Sequence, residues 1–143
     1  MQKGSAVAVG DIDRDGDVDI LQVLGGEYPG DYFPRALFIN PGTASPWLTL
    51  QLVGTRTNRS ALGARIAVEV DTPHGPRTLH AMVSSGGSYG GSTLAQEIGL
   101  GDATGIKSVT VKWPGDAEQR FENVAPNRRY RITEGKPSLT ELP

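Results

Sequence analysis

Between Asp11 and Asp19, five aspartates occupy alternate positions, and this run constrains the chain more than any other feature. The segment Asp11-Ile12-Asp13-Arg14-Asp15-Gly16-Asp17-Val18-Asp19 fits the pattern D-x-D-x-D-G-x-x-D. With one arginine among them, the five aspartates leave −4 over these residues, against −2 for the whole chain. Like charges roughly 4 Å apart repel by about 1 kcal/mol per pair in bulk water, and by about 4 kcal/mol at an effective dielectric of 20. A hard dication turns that repulsion into attraction. Carboxylates at loop positions 1, 3 and 5 can converge on one point, a glycine at position 6 allows the sharp turn, and position 7 offers a backbone carbonyl. The expected donors are therefore the side chains of Asp11, Asp13, Asp15 and Asp19, together with the carbonyl of Asp17. So many oxygen donors favour Ca²⁺, because Mg²⁺ keeps several waters and takes only one or two carboxylates. No soft or nitrogen donor is nearby to favour zinc or copper. The loop is not an EF-hand, which needs a glutamate at position 12, where this chain has Gln22. A plain Asp15-Gly16 hairpin turn with solvated charges is the duller alternative. It does not explain carboxylates at every second position on both sides of the turn.

The flanks of the loop, 5–9 (SAVAV) and 18–24 (VDILQVL), are apolar and rich in β-branched residues, so strand, loop and strand are expected. A Gly/Pro/aromatic loop over 25–34 leads to a short strand at 35–39 and a turn at Asn40-Pro41-Gly42. Further strands are expected at 47–53, 63–70, 77–84, 93–98, 106–113, 118–121 and 129–133. In the last, Tyr130 and Ile132 face one way and Arg129 and Arg131 the other; in 106–113, Ser108 interrupts the alternation. No window holds a helical repeat. The 19 glycines and 10 prolines punctuate short segments, which suits a β-sandwich or barrel. The absence of cysteine excludes disulfides and thiolate metal sites. No stretch is long enough to span a bilayer, and no segment is a basic stripe, so an electrostatic footprint for nucleic acid is missing and no nucleic-acid partner is expected.

Other motifs are weaker. Gly86-Gly87-Ser88-Tyr89-Gly90 matches G-x-S-x-G, but a nucleophile elbow needs a following helix and a later histidine, and both His74 and His80 precede Ser88. A glycine-rich loop is the expectation. Gly99-Leu100-Gly101 reads as a β-turn, and His80 has no metal-spaced partner. Tyr28, Tyr32 and Phe33 cluster in a loop, where aromatics either stack on a ligand or cover the hairpin's apolar face. Arg56, Asn58, Arg59 and Arg65 surround a turn and read first as a structural network, with contact to an acidic ligand as the alternative. Asn58-Arg59-Ser60 is also a glycosylation sequon, meaningful only in a eukaryotic secretory protein. Trp47 and Trp113 sit in apolar strand patterns as core anchors.

The stretch VAVGDIDRDGDVDILQV resembles the calcium hairpin of FG-GAP/VCBS-type repeats, which build integrin-like propellers. The pieces that follow are Trp47-Leu48-Thr49-Leu50, Gly54 to Arg59, Gly63-Ala64-Arg65, Gly99-Leu100-Gly101, Val111-Lys112-Trp113-Pro114 and Glu118 to Glu134. In that order they resemble the ASPIC/UnbV domain of cartilage-acidic-protein-like and bacterial exported proteins. The resemblance implies a partial repeat over 1–44, an ASPIC/UnbV-like domain over 45–135 and a terminal tail over 136–143. The expected fold is all-β, an antiparallel sandwich preceded by a calcium-binding hairpin.

The expected role is non-enzymatic: a structural Ca²⁺ supporting adhesion or ligand recognition in an extracellular or cell-surface protein. The start, Met1-Gln2-Lys3-Gly4-Ser5, lacks the apolar run of a signal peptide, so the chain reads as a piece of a longer exported protein. Carbohydrate or an extracellular protein is the expected partner beyond calcium. The alternative is a carbohydrate-binding module attached to a polysaccharide-processing system. No nucleophile–base pairing or paired catalytic carboxylates outside the aspartate loop support an enzyme.

Overall fold

The computed structural model describes residues 4–26, 29–30, 33–42, 45–87, 91 and 93–143. Three sheets form. β1 (Gly4–Gly10), β2 (Asp19–Leu24) and β3 (Ala36–Phe38) make an antiparallel three-stranded sheet around the aspartate loop. β4 (Trp47–Val53), β7 (Gln96–Gly99), β10 (Arg128–Thr133) and β11 (Thr140–Leu142) make a second sheet in the order β11-β10-β4-β7. β5 (Arg65–Thr72), β6 (Gly75–Met82), β8 (Gly105–Lys112) and β9 (Glu118–Glu122) make a third in the order β6-β5-β8-β9. The fold is all-β and sandwich-like, as the spacing of short alternating segments implies. Strand pairs are antiparallel except β4 with β10, which run parallel.

Period-two patterning explains the core. Leu48, Leu50 and Leu52 of β4 and Tyr130 and Ile132 of β10 point inward from the second sheet. They meet Ile66, Val68 and Val70 of β5, Val109 and Val111 of β8 and Phe121 of β9. Trp113 is buried among them. Fully burying an aliphatic side chain contributes about 1.5–3 kcal/mol, so these alternating positions dominate the stability of the sandwich. The irregularity at Ser108 has a geometric cause. The β5–β8 register shifts between Glu69 and Val70, so that Ser108 faces Glu69 while Ile106 faces Val70, leaving Lys107 as a bulge residue. Ser108 thereby turns outward, where its hydroxyl donates to Glu69 Oε2 at 3.0 Å.

Two local expectations change. The segment after Gly135 is not a plain tail, because Thr140–Leu142 adds to the second sheet as an edge strand on Arg129–Arg131. A three-residue segment carries too little alternation to reveal itself, and it is the exposed side of β10 that templates it. Trp47 is only partly buried and stands on the outer face of its sheet, one residue out of phase with Leu48.

The three-stranded sheet is apolar on both sides. Val9, Ile20 and Phe38 lie across one another on one face, and Ala8, Leu21 and Leu37 on the other. Val9, Ile20, Phe38 and Leu37 remain exposed.

Candidate metal centre

The loop between β1 and β2 projects the aspartates. One carboxylate oxygen from each of Asp11, Asp13 and Asp15 lies within 4.8 Å of the others. The turn is built for this convergence: Arg14 and Gly16 take positive φ values of 66° and 100°. The Asp15 amide leans on Asp13 Oδ1 at 3.4 Å, and the Asp17 amide donates to Asp15 Oδ1 at 2.9 Å. Partial desolvation within the loop pushes the Asp13 carboxyl above its usual range, and the carboxylates of Asp15, Asp19 and Asp11 add to that rise. The Asp15 amide opposes it.

Asp11 carries the most telling feature. Both its carboxylate oxygens are buried and accept no hydrogen bond. Buried polar atoms nearly always find a partner, and one left alone costs about 1–3 kcal/mol, more when charged. A cation between Asp11, Asp13 and Asp15 removes that cost, so the residues present fit a hard metal ion. Asp19 stands differently. It is fully buried; its Oδ1 accepts from the Asn40 amide at 2.9 Å and its Oδ2 from the Ile12 amide at 2.8 Å. These contacts, Asn40 first, lower its pKa and tie the loop to the segment leaving β3. The Asp17 carboxylate lies against the turn at Gly42, where an added Cβ would meet its Oδ2 at 2.6 Å.

The loop rests on the outer face of the second sheet. A Cβ on Gly16 would lie 2.1 Å from the Trp47 indole, so the glycine backbone sits directly on that ring. The Asp11 amide donates to Glu97 Oε1 of β7 at 3.2 Å. Thr49, beside Glu97 and Arg129 in register and lining a cleft with Arg14, is only 4% exposed although it points away from the core. No sequence spacing signals these contacts, which join residues more than 30 positions apart.

The remaining candidates separate clearly. Phe33 is exposed, whereas Tyr28, Tyr32 and Ser88 to Gly90 lie outside the described residues. Both amide atoms of Asn58 hold the 58–62 turn, with Nδ2 donating to the Leu62 carbonyl and Oδ1 accepting from its amide. Leu100 is buried in a turn whose Gly101 has a φ of 64°, and the Arg77 guanidinium donates to the Leu100 carbonyl at 2.8 Å. His80 is exposed on β6.

A second polar centre escapes the sequence. Glu134 is 6% exposed, and its Oε2 accepts from the amides of Thr55, Arg56 and Thr57 at 2.8, 2.8 and 2.9 Å and from the Thr57 hydroxyl at 3.1 Å. These donors, the Thr57 amide foremost, hold its pKa at about 2 against the burial that raises it. A usable signal exists: Tyr130, Ile132 and Glu134 share one strand parity, and a carboxylate continuing an inward face demands buried donors. This arrangement locks the ends of parallel neighbours β4 and β10 together as a structural brace.

The family profile described as ASPIC and UnbV matches residues 54–139, more than half of the chain. The chain belongs to the ASPIC and UnbV family. The family span takes in β5 to β10, the Glu134 brace and Leu139, while the aspartate loop precedes it. No curated protein matches the chain. Among the described residues, no helix is long and apolar enough to cross a membrane.

Proposed function

We propose that this chain is a non-catalytic, calcium-binding member of the ASPIC and UnbV family, working in an exported protein at or outside the cell surface. In this reading Ca²⁺ is structural and supports adhesion or ligand recognition. The observation that supports it most is the buried, unpartnered carboxylate of Asp11 beside Asp13 and Asp15. Asp11, Asp13 and Asp15 would hold the ion, joined by the Asp17 carbonyl and by the lone pairs that Asp19 keeps beyond its two peptide contacts. Bound there, the ion supplies positive charge to a loop of −4. Trp47 and Glu97 then give the loop its seat on the sandwich, so binding free energy becomes free energy of docking and folding.

The three-stranded sheet reads best as part of an FG-GAP/VCBS-type repeat. Its apolar residues on both faces suit a sheet flanked by others, because a lone sheet at a surface keeps one face polar.

Calorimetry and melting curves on the metal-stripped chain test the reading. A ligand at a hundred times its Kd adds about 2.7 kcal/mol to stability. Millimolar Ca²⁺ should give measurable heat and a higher Tm, reversed by EDTA. No heat and no shift would remove the calcium reading.

A further inference from the structure

We propose that the outer face of the β11-β10-β4-β7 sheet carries a binding groove for an acidic sugar chain, one bearing carboxylates or sulfates. The groove spans about 710 Å³ and is lined by Arg131, Arg59 and Lys136, with no acidic side chain lining it among the described residues. That volume lies within the range of ligand sites, roughly 300–1,000 Å³. Its floor is the Gln51–Arg131 pair, directly opposite in the parallel β4–β10 register. The Arg131 guanidinium donates through Nε and Nη2 to Gln51 Oε1 at 3.2 and 3.1 Å, which presents the rest of its planar fork outward. Arg59 arrives from the loop after β4 and Lys136 from the turn after β10. An adjoining cleft shares Gln51 and adds Arg129 and Arg14.

Arg77, Lys107, Lys112, Arg120 and Arg128 each pair with a carboxylate. Arg59, Arg129, Arg131 and Lys136 carry no carboxylate partner among the described residues, as is also true of Arg14, Arg35, Arg56 and Arg65. Glu134, the carboxylate nearest in sequence to Lys136, is turned inward onto the amides of Thr55 to Thr57. In a chain of net charge −2, unpaired positive charge gathered in one concavity is complementary to an anion.

The chemistry of the lining selects the class of anion. The hydroxyls of Thr133 and Thr140 and the Gln51 amide suit a ligand dense in hydroxyls, and guanidinium forks match carboxylate or sulfate. Among the described residues no aromatic ring lines the groove, so they offer none of the stacking platforms that single-stranded nucleic acid needs. β4 and β10 are each paired on both sides, so the groove offers no free edge for an acidic peptide to add as a strand. The calcium site is not required for this inference.

The test is calorimetry on the full chain at constant Ca²⁺ with four probes: oligogalacturonate, a sulfated oligosaccharide, neutral malto-oligosaccharide and single-stranded DNA. Binding of either acidic sugar supports the inference, and the two arms tell carboxylate from sulfate recognition. Affinity should fall roughly tenfold or more in Arg131→Ala and in the Arg59→Ala/Lys136→Ala double variant, and should weaken with added salt. All substituted residues are exposed, so the Tm should hold; the charge reversal Arg59→Glu provides a second variant should one fail to fold. Absence of binding to both acidic sugars, equal binding of the neutral sugar or of DNA, or full affinity in the variants would overturn it.

Discussion

Gly16 and Trp47 touch as backbone against ring, closely enough that a Cβ on the glycine would fall 2.1 Å from the indole Nε1 and Cε2. The contact joins the aspartate loop to the sandwich at its tip. It also gives the glycine two reasons to be there: the space is taken, and its φ of 100° disfavours any L side chain.

Gly16→Ala should therefore lift the loop off Trp47. The expected result is a lower Tm, with strain of about 1–3 kcal/mol from backbone alone, and a red shift in tryptophan emission. Trp113, buried in the core, should contribute an unchanged signal. Emission identical to wild type would mean that the loop does not need this seat.

Asp13→Ala and Asp19→Ala should part company. Asp13 is crowded by neighbouring carboxylates, so removing it should leave the metal-free Tm equal or slightly higher while abolishing the calcium-induced rise. Asp19 holds the Ile12 and Asn40 amides, so its loss should lower the Tm even in EDTA, by roughly 1–3 kcal/mol for two orphaned, part-buried donors. Equal melting of the two variants without metal would refute the division of roles.

Glu134 makes stability depend on acid. Its pKa is about 2 in the folded chain against 4.5 for an ordinary glutamate, so the unfolded chain binds the extra proton between those values. Its contribution is complete above about pH 4.5 and is lost as the pH falls through about 2. Glu134→Gln should melt lower than wild type at neutral pH, with the gap closing as the pH drops across that window. A gap constant with pH would show that the charge is not what the three amides hold.

Leu50→Ala probes the sandwich itself. The side chain is fully buried, and truncation should cost about 2–5 kcal/mol whether or not calcium is present. A loss seen only with calcium would tie this core to the loop more closely than the packing indicates.

The sequence by itself determined the elements that depend on local chemistry. Alternation in 129–133 placed Tyr130 and Ile132 inward, and the repeated aspartates with Gly16 marked the loop and its bend. Even the break at Ser108 was visible, though not its cause, because a bulge is a property of two strands in register. What the tertiary structure alone decided are the relations between distant segments. The parallel pairing of β4 with β10 brings Glu134 to the amides of Thr55 to Thr57, and it sets Arg131 beside Gln51, with Arg59 and Lys136 at the same groove. Thr140–Leu142 becomes a strand only because β10 offers an edge, and Trp47, one residue out of phase with Leu48, lies on the outer face where Gly16 of the loop covers its ring. Local patterning follows from side-chain period and turn chemistry, whereas these contacts arise from the order in which strands assemble, which no nearby residue encodes.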